Sequence, residues 1–72
     1  MKIKITTNEK DMPGVIEEHE TDLSLHQFIL QDMGNLYSTM QELMNDFSST
    51  QLEPTLAVFQ NEDYQHSYSI IG

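Results

Sequence analysis

The chain of 72 residues has no cysteine, no tryptophan and no arginine, and its only cations, Lys2, Lys4 and Lys10, fall in the first ten residues. Each absence excludes something. Without cysteine there is no disulfide to reinforce a small core, and no thiolate to bind metal or act as a nucleophile. That suits a reducing compartment. Without arginine the chain lacks the usual bidentate clamp for phosphate and carboxylate groups. From Asp11 to Gly72 there is no lysine either. Direct binding to nucleic acid, which depends chiefly on Lys and Arg contacts to phosphate, is therefore not expected, nor is attraction to anionic membranes. No apolar run approaches the ~20 residues of a membrane span, and "MKIKITT" lacks the apolar stretch of a signal peptide. A soluble cytoplasmic chain is expected.

What is present is acid. Twelve carboxylates against three lysines give a formal net charge of −9. Glu17, Glu18, Glu20 and Asp22 cluster together, Glu9 and Asp11 lie just upstream, and Glu62 with Asp63 marks the tip of an expected hairpin. Exposed carboxylates commonly serve solubility alone, but ordinary acidic surfaces mix both signs. The missing cations point further, to a protein partner with a basic surface.

The elements follow from periodicity. "MKIKITT" alternates Ile3 and Ile5 with Lys2, Lys4 and Thr6, the pattern of a half-buried strand. Pro13-Gly14 closes a turn, and "VIEEHE" is read as a second strand, with a short helix from Pro13 as the alternative. Ser24 and Gln27 match a capping box, with Leu23 and Phe28 as its hydrophobic staple. From this start the pattern predicts one helix from Leu25 to Phe47 or Ser48. After Pro54, "TLAVFQ" and "YQHSYSII" read as strands, the latter with Tyr64, His66, Tyr68 and Ile70 on one face. The expected fold is α+β: three to four antiparallel strands on one long amphipathic helix, in the order β-β-α-β-β, as a single domain spanning 1–72.

On a wheel of 100° per residue, the apolar arc of that helix spans roughly 200°, wider than the ~100° a surface helix commonly needs. A helix ~34 Å long would also overreach strands of about 20 Å. The surplus flank, Leu30, Met33, Tyr37, Met40 and Met44, is therefore a candidate homodimer interface. The plainer reading is that its methionines fill an irregular core. Gly34 sits on the polar side, with no packing role evident from the sequence.

Other chemistry finds little footing. His19, His26 and His66 lack metal-ligand spacing, with His26 expected on the apolar arc, packed or half-buried. "NEDYQHSYSIIG" lacks the sixth-position glycine and terminal glutamate of a calcium loop. No nucleophile-elbow sequence surrounds a serine, and no glycine-rich phosphate loop occurs. No cofactor is expected, and the chain is read as a non-enzymatic binding protein. Partner-binding candidates are Glu17, Glu18, Glu20, Asp22, Glu62 and Asp63. In composition it resembles the small acidic inhibitors of phages and mobile elements, including anti-CRISPR and DNA-mimic proteins. That resemblance implies an inhibitor occupying the basic groove of a nucleic-acid-processing protein in the host cytoplasm. The alternative is a small assembly protein that self-associates or binds a partner through the apolar helix flank.

Overall fold

Alternating side chains along extended backbone put every second residue of a strand on one face, and the first strand uses that rule cleanly. In a computed structural model, which describes residues 1–34 and 36–72, β1 (Lys2–Glu9) buries Ile3 and Ile5 and turns Lys2 and Lys4 the other way. It pairs antiparallel with β2 (Val15–Glu20) on one side and with β5 (Tyr64–Ile70) on the other. β4 (Leu56–Asn61) and β3 (Ser49–Glu53) complete an antiparallel sheet in the order β2-β1-β5-β4-β3. The turn residues Glu62-Asp63 and Pro54-Thr55 close the two short hairpins.

The connection from β2 to β3 must cross from one edge of the sheet to the other, about 19 Å for five strands at ~4.8 Å spacing. It carries α1 (Leu25–Asp32) and α2 (Met40–Asn45) over one face. The core lies between: Ile3, Ile5, Ala57, Phe59 and Tyr68 from the sheet meet Leu25, Phe28, Ile29 and Leu43 from the helices. Phe59 and Phe28 each meet the Tyr68 ring edge-on, with centroids 6.2 Å apart in both pairs. That geometry adds to plain area burial.

The expectation of one long helix and three to four strands is wrong. The observed order is β-β-α-α-β-β-β. α1 starts where expected: the Ser24 side chain accepts from Gln27 N–H at 3.2 Å, and Ser24 N–H donates to Gln27 Oε1 at 3.1 Å. It stops after two turns at Gly34, whose φ of +80° lies in the left-handed region that glycine enters without strain. Thr39 then caps α2, accepting from Glu42 N–H at 3.2 Å, while Glu42 reaches back to Ser38 N–H at 3.1 Å. Asn35, which the single-helix expectation placed mid-helix, lies outside the described residues.

Two helices also remove the puzzle of the wide arc. α1 buries Leu25, Phe28 and Ile29, and α2 packs Met40, Leu43 and Met44, each set at i, i+3, i+4. On one continuous helix these triads would be centred roughly 60° apart, which inflates the apparent arc. As separate helices, of ~12 Å and ~9 Å, each turns its own narrow stripe to the sheet. Leu30, Met33, Tyr37, Met40 and Met44 are all half-buried against the core rather than forming an exposed flank. His26, expected to be packed, is exposed.

Candidate protein-binding edge

β2 is an outer strand of the sheet and is exposed at every residue from Val15 to Glu20. Its register to β1 sets its chemistry. Glu18 lies across from Lys4 and Glu20 across from Lys2, on the face away from the helices, while Glu17 and His19 lie across from Ile5 and Ile3 on the helix-bearing side. The strand therefore presents carboxylates on both faces, a few ångströms apart along its length. Their charge is partly offset. Lys2 Nζ approaches Glu18 at 4.0 Å, and the terminal ammonium of Met1 donates to Glu20 at 2.9 Å. The ammonium's hydrogen bond and charge hold the Glu20 carboxyl below its usual range, with Lys2 adding to the effect.

The six acidic candidates do not form one patch. Glu17, Glu18 and Glu20 run along β2, and Asp22 follows just beyond it, exposed. Glu62 and Asp63 sit in the β4–β5 turn, beside Glu9 and Lys10, where Lys10 N–H donates to the Asp63 carbonyl at 2.9 Å. From the Lys2–Glu20 row to the Glu9–Tyr64 row is seven residues of β1, about 23 Å at ~3.3 Å per residue. The acid is therefore spread along an edge, dense at Glu17–Glu20 and resuming at the far end.

A second cluster, unforeseen in the sequence, lies under α1. Tyr68 donates its hydroxyl proton to Asp32 Oδ2 at 2.6 Å. Having a single proton, that hydroxyl must accept from His66 Nε2, at 2.9 Å, which leaves Nδ1 to accept from Thr7 Oγ1 at 2.7 Å. The chain Thr7–His66–Tyr68–Asp32 thus runs one way and satisfies every member with a neutral imidazole. Burial pushes the His66 imidazole below its ordinary pKa, against the opposing pull of Asp32 and Glu17. Burial and the Asp32 carboxylate push the Tyr68 phenol far above its own. Tyr64 stacks on His66 with centroids 5.8 Å apart. No alternation or motif signals Asp32; its partner Tyr68 is 36 residues away.

Hydroxyl, imidazole and carboxylate in sequence also occur where nucleophiles are activated. Here the Tyr68 hydroxyl separates imidazole from carboxylate, and no cavity forms among the described residues to hold a substrate. The cluster ties the end of α1 to β5 and β1. Among the described residues no group of three or more His, Asp or Glu converges in a metal-binding arrangement, and no helix is long and apolar enough to cross a membrane. No protein-family model matches the chain, and no curated protein or solved structure shows significant similarity to it.

Proposed function

We propose that this chain is a non-enzymatic acidic binding protein that inhibits a nucleic-acid-processing protein by occupying its basic groove, with β2 as the principal contact. The observation that carries this reading is the edge strand itself: exposed throughout, with Glu17, Glu18 and Glu20 on extended backbone. Glu18 and Glu20 share one face about 6.6 Å apart, and Glu17 lies on the other, so a basic groove that takes in this edge meets carboxylates from both faces of the strand. Such a contact accelerates encounter and fixes orientation more than it adds affinity. The compositional likeness to phage and mobile-element inhibitors supports the same reading. The assembly alternative has less to rest on, because Leu30, Met33, Tyr37, Met40 and Met44 are half-buried in the monomer.

The test is inhibition of a panel of purified nucleic-acid-binding enzymes, RNA-guided nucleases included, by wild type and by Glu17→Gln/Glu18→Gln/Glu20→Gln. Neutralisation is preferable to reversal, since lysine at 18 or 20 would face Lys4 or Lys2 across the β1–β2 pair. At least one enzyme should be inhibited at low salt, less so at high salt, and less by the neutral variant. Inhibition that ignores both salt and these substitutions would contradict a charge-driven contact.

A further inference from the structure

β2 is paired on one side only, and the hydrogen bonds around it show which groups are left free. Thr21 N–H donates to the Met1 carbonyl at 2.9 Å. Successive residues of a strand aim their N–H and C=O to alternate sides, so His19, Glu17 and Val15 face β1, and Ile16, Glu18 and Glu20 face outward. β1 agrees: Lys2 donates to Gly72 and accepts from Ile71 on the β5 side, leaving Ile3, Ile5 and Thr7 to serve β2. The three outward residues also share the face away from the helices, where Ile16 is 62% exposed.

Edges of natural sheets are commonly blunted by lysine, proline or a bulge. β2 has no lysine or proline within it and pairs with β1 residue for residue from Val15 to Glu20. Its one protection is negative charge, and that discriminates between occupants. A second copy is disfavoured, because antiparallel self-pairing about the middle of the strand sets Glu17 or Glu18 opposite its own counterpart. The opposite edge, β3, is a poorer dock: Glu53 is its one carboxylate, and Thr50 and Leu52 are half-buried.

We propose that β2 accepts an extended basic segment of a partner protein as an added strand, held by the outward N–H and C=O groups of Ile16, Glu18 and Glu20. This rests on the reading of the chain as an acidic binding protein and specifies how the partner is held. In an antiparallel arrangement the segment carries cations opposite Glu20, Glu18 and Glu17, with an apolar residue opposite Ile16. Its recognition pattern is cation, any residue, cation, cation, apolar. The cation opposite Glu18 competes with Lys2 for that carboxylate.

The probe is a fluorescent peptide, Thr-Lys-Thr-Lys-Lys-Val-Thr, with a second version N-methylated along its backbone. Ile16→Pro removes one outward N–H while sparing intrachain hydrogen bonds and every charge, as proline at an exposed strand edge can. We expect the peptide to bind wild type, with Ile16→Pro and backbone methylation each weakening binding about tenfold or more. Amide exchange at Ile16, Glu18 and Glu20 should slow on binding, while Thr50 and Leu52 on the other edge keep their rates. The exchange pattern needs no variant, so the test survives if Ile16→Pro fails to fold. Unchanged exchange at the three amides, or full binding by folded Ile16→Pro, overturns strand addition and leaves the charge reading standing. Undiminished binding by Glu18→Gln/Glu20→Gln instead overturns the charge reading.

Discussion

Gly34→Ala separates the two-helix architecture from a continuous helix by the sign of a single measurement. The residue has φ +80°, and a methyl group there would meet nothing closer than the Leu36 Cγ at 3.9 Å. The effect is therefore conformational rather than steric. Left-handed backbone costs an L-residue about 1–2 kcal/mol, offset in part by the ~0.4–1 kcal/mol that alanine gains by restricting the unfolded chain. A net loss of about 1 kcal/mol is expected. Mid-helix, the same substitution would stabilise by about 1 kcal/mol, so the two architectures differ by ~2 kcal/mol with opposite signs. Urea denaturation reads this directly. With a slope near ~1 kcal/mol/M for so small a chain, the midpoint should fall by roughly 1 M at unchanged slope. D-alanine at 34, introduced by chemical synthesis, should raise it. A rise with L-alanine would refute the helix break.

Three further outcomes follow from the contacts. Thr39→Ala and Ser24→Ala each remove a cap that accepts a backbone N–H at 3.2 Å, and each should lower stability by about 1 kcal/mol in chemical denaturation. Under the one-helix fold Thr39→Ala would have been neutral or better. Tyr68→Phe deletes the hydroxyl between His66 and Asp32; because Asp32 remains about a third exposed to water, the loss should lie near the lower end of ~1.5–3 kcal/mol. His66 has a folded pKa below its ordinary 6.5, so its contribution is fully present above that pH and is lost as pH falls through the folded value. The difference in urea midpoint between wild type and His66→Gln should therefore shrink from pH 7.5 to 5, and a widening gap would contradict the burial of a neutral imidazole.

The strands and caps were legible where a local rule writes them. Ile3 and Ile5 alternate with lysines, Ser24 and Gln27 form a capping box, and the face shared by Tyr64, His66, Tyr68 and Ile70 is the one turned to the core. The helix break was also written, in Gly34 and in the Thr39-x-x-Glu42 cap, but the apolar pattern runs through both and overrode them. β3 was obscured because Ser49–Glu53 is mostly polar; only Thr50 and Leu52 turn toward the core side, and pairing with β4 supplies the rest. The acidic edge could be located once "VIEEHE" was read as a strand. That it is outermost depends on β1 lying beside β5, a long-range choice with no local signature. The Asp32–Tyr68–His66–Thr7 chain is likewise a product of topology.

The most direct test of β2 as a charge-driven contact is the association rate with the first target found, measured by stopped flow across a salt series. The comparison is between wild type and Glu17→Gln/Glu18→Gln/Glu20→Gln, both first shown to be folded. The expected result is a steep fall in the wild-type rate from 50 to 500 mM salt, as the Debye length contracts below ~8 Å, and a slower, flatter profile for the neutral variant. Superimposable profiles, with the same rate and the same salt slope, would show that the carboxylates of this strand do not drive the encounter.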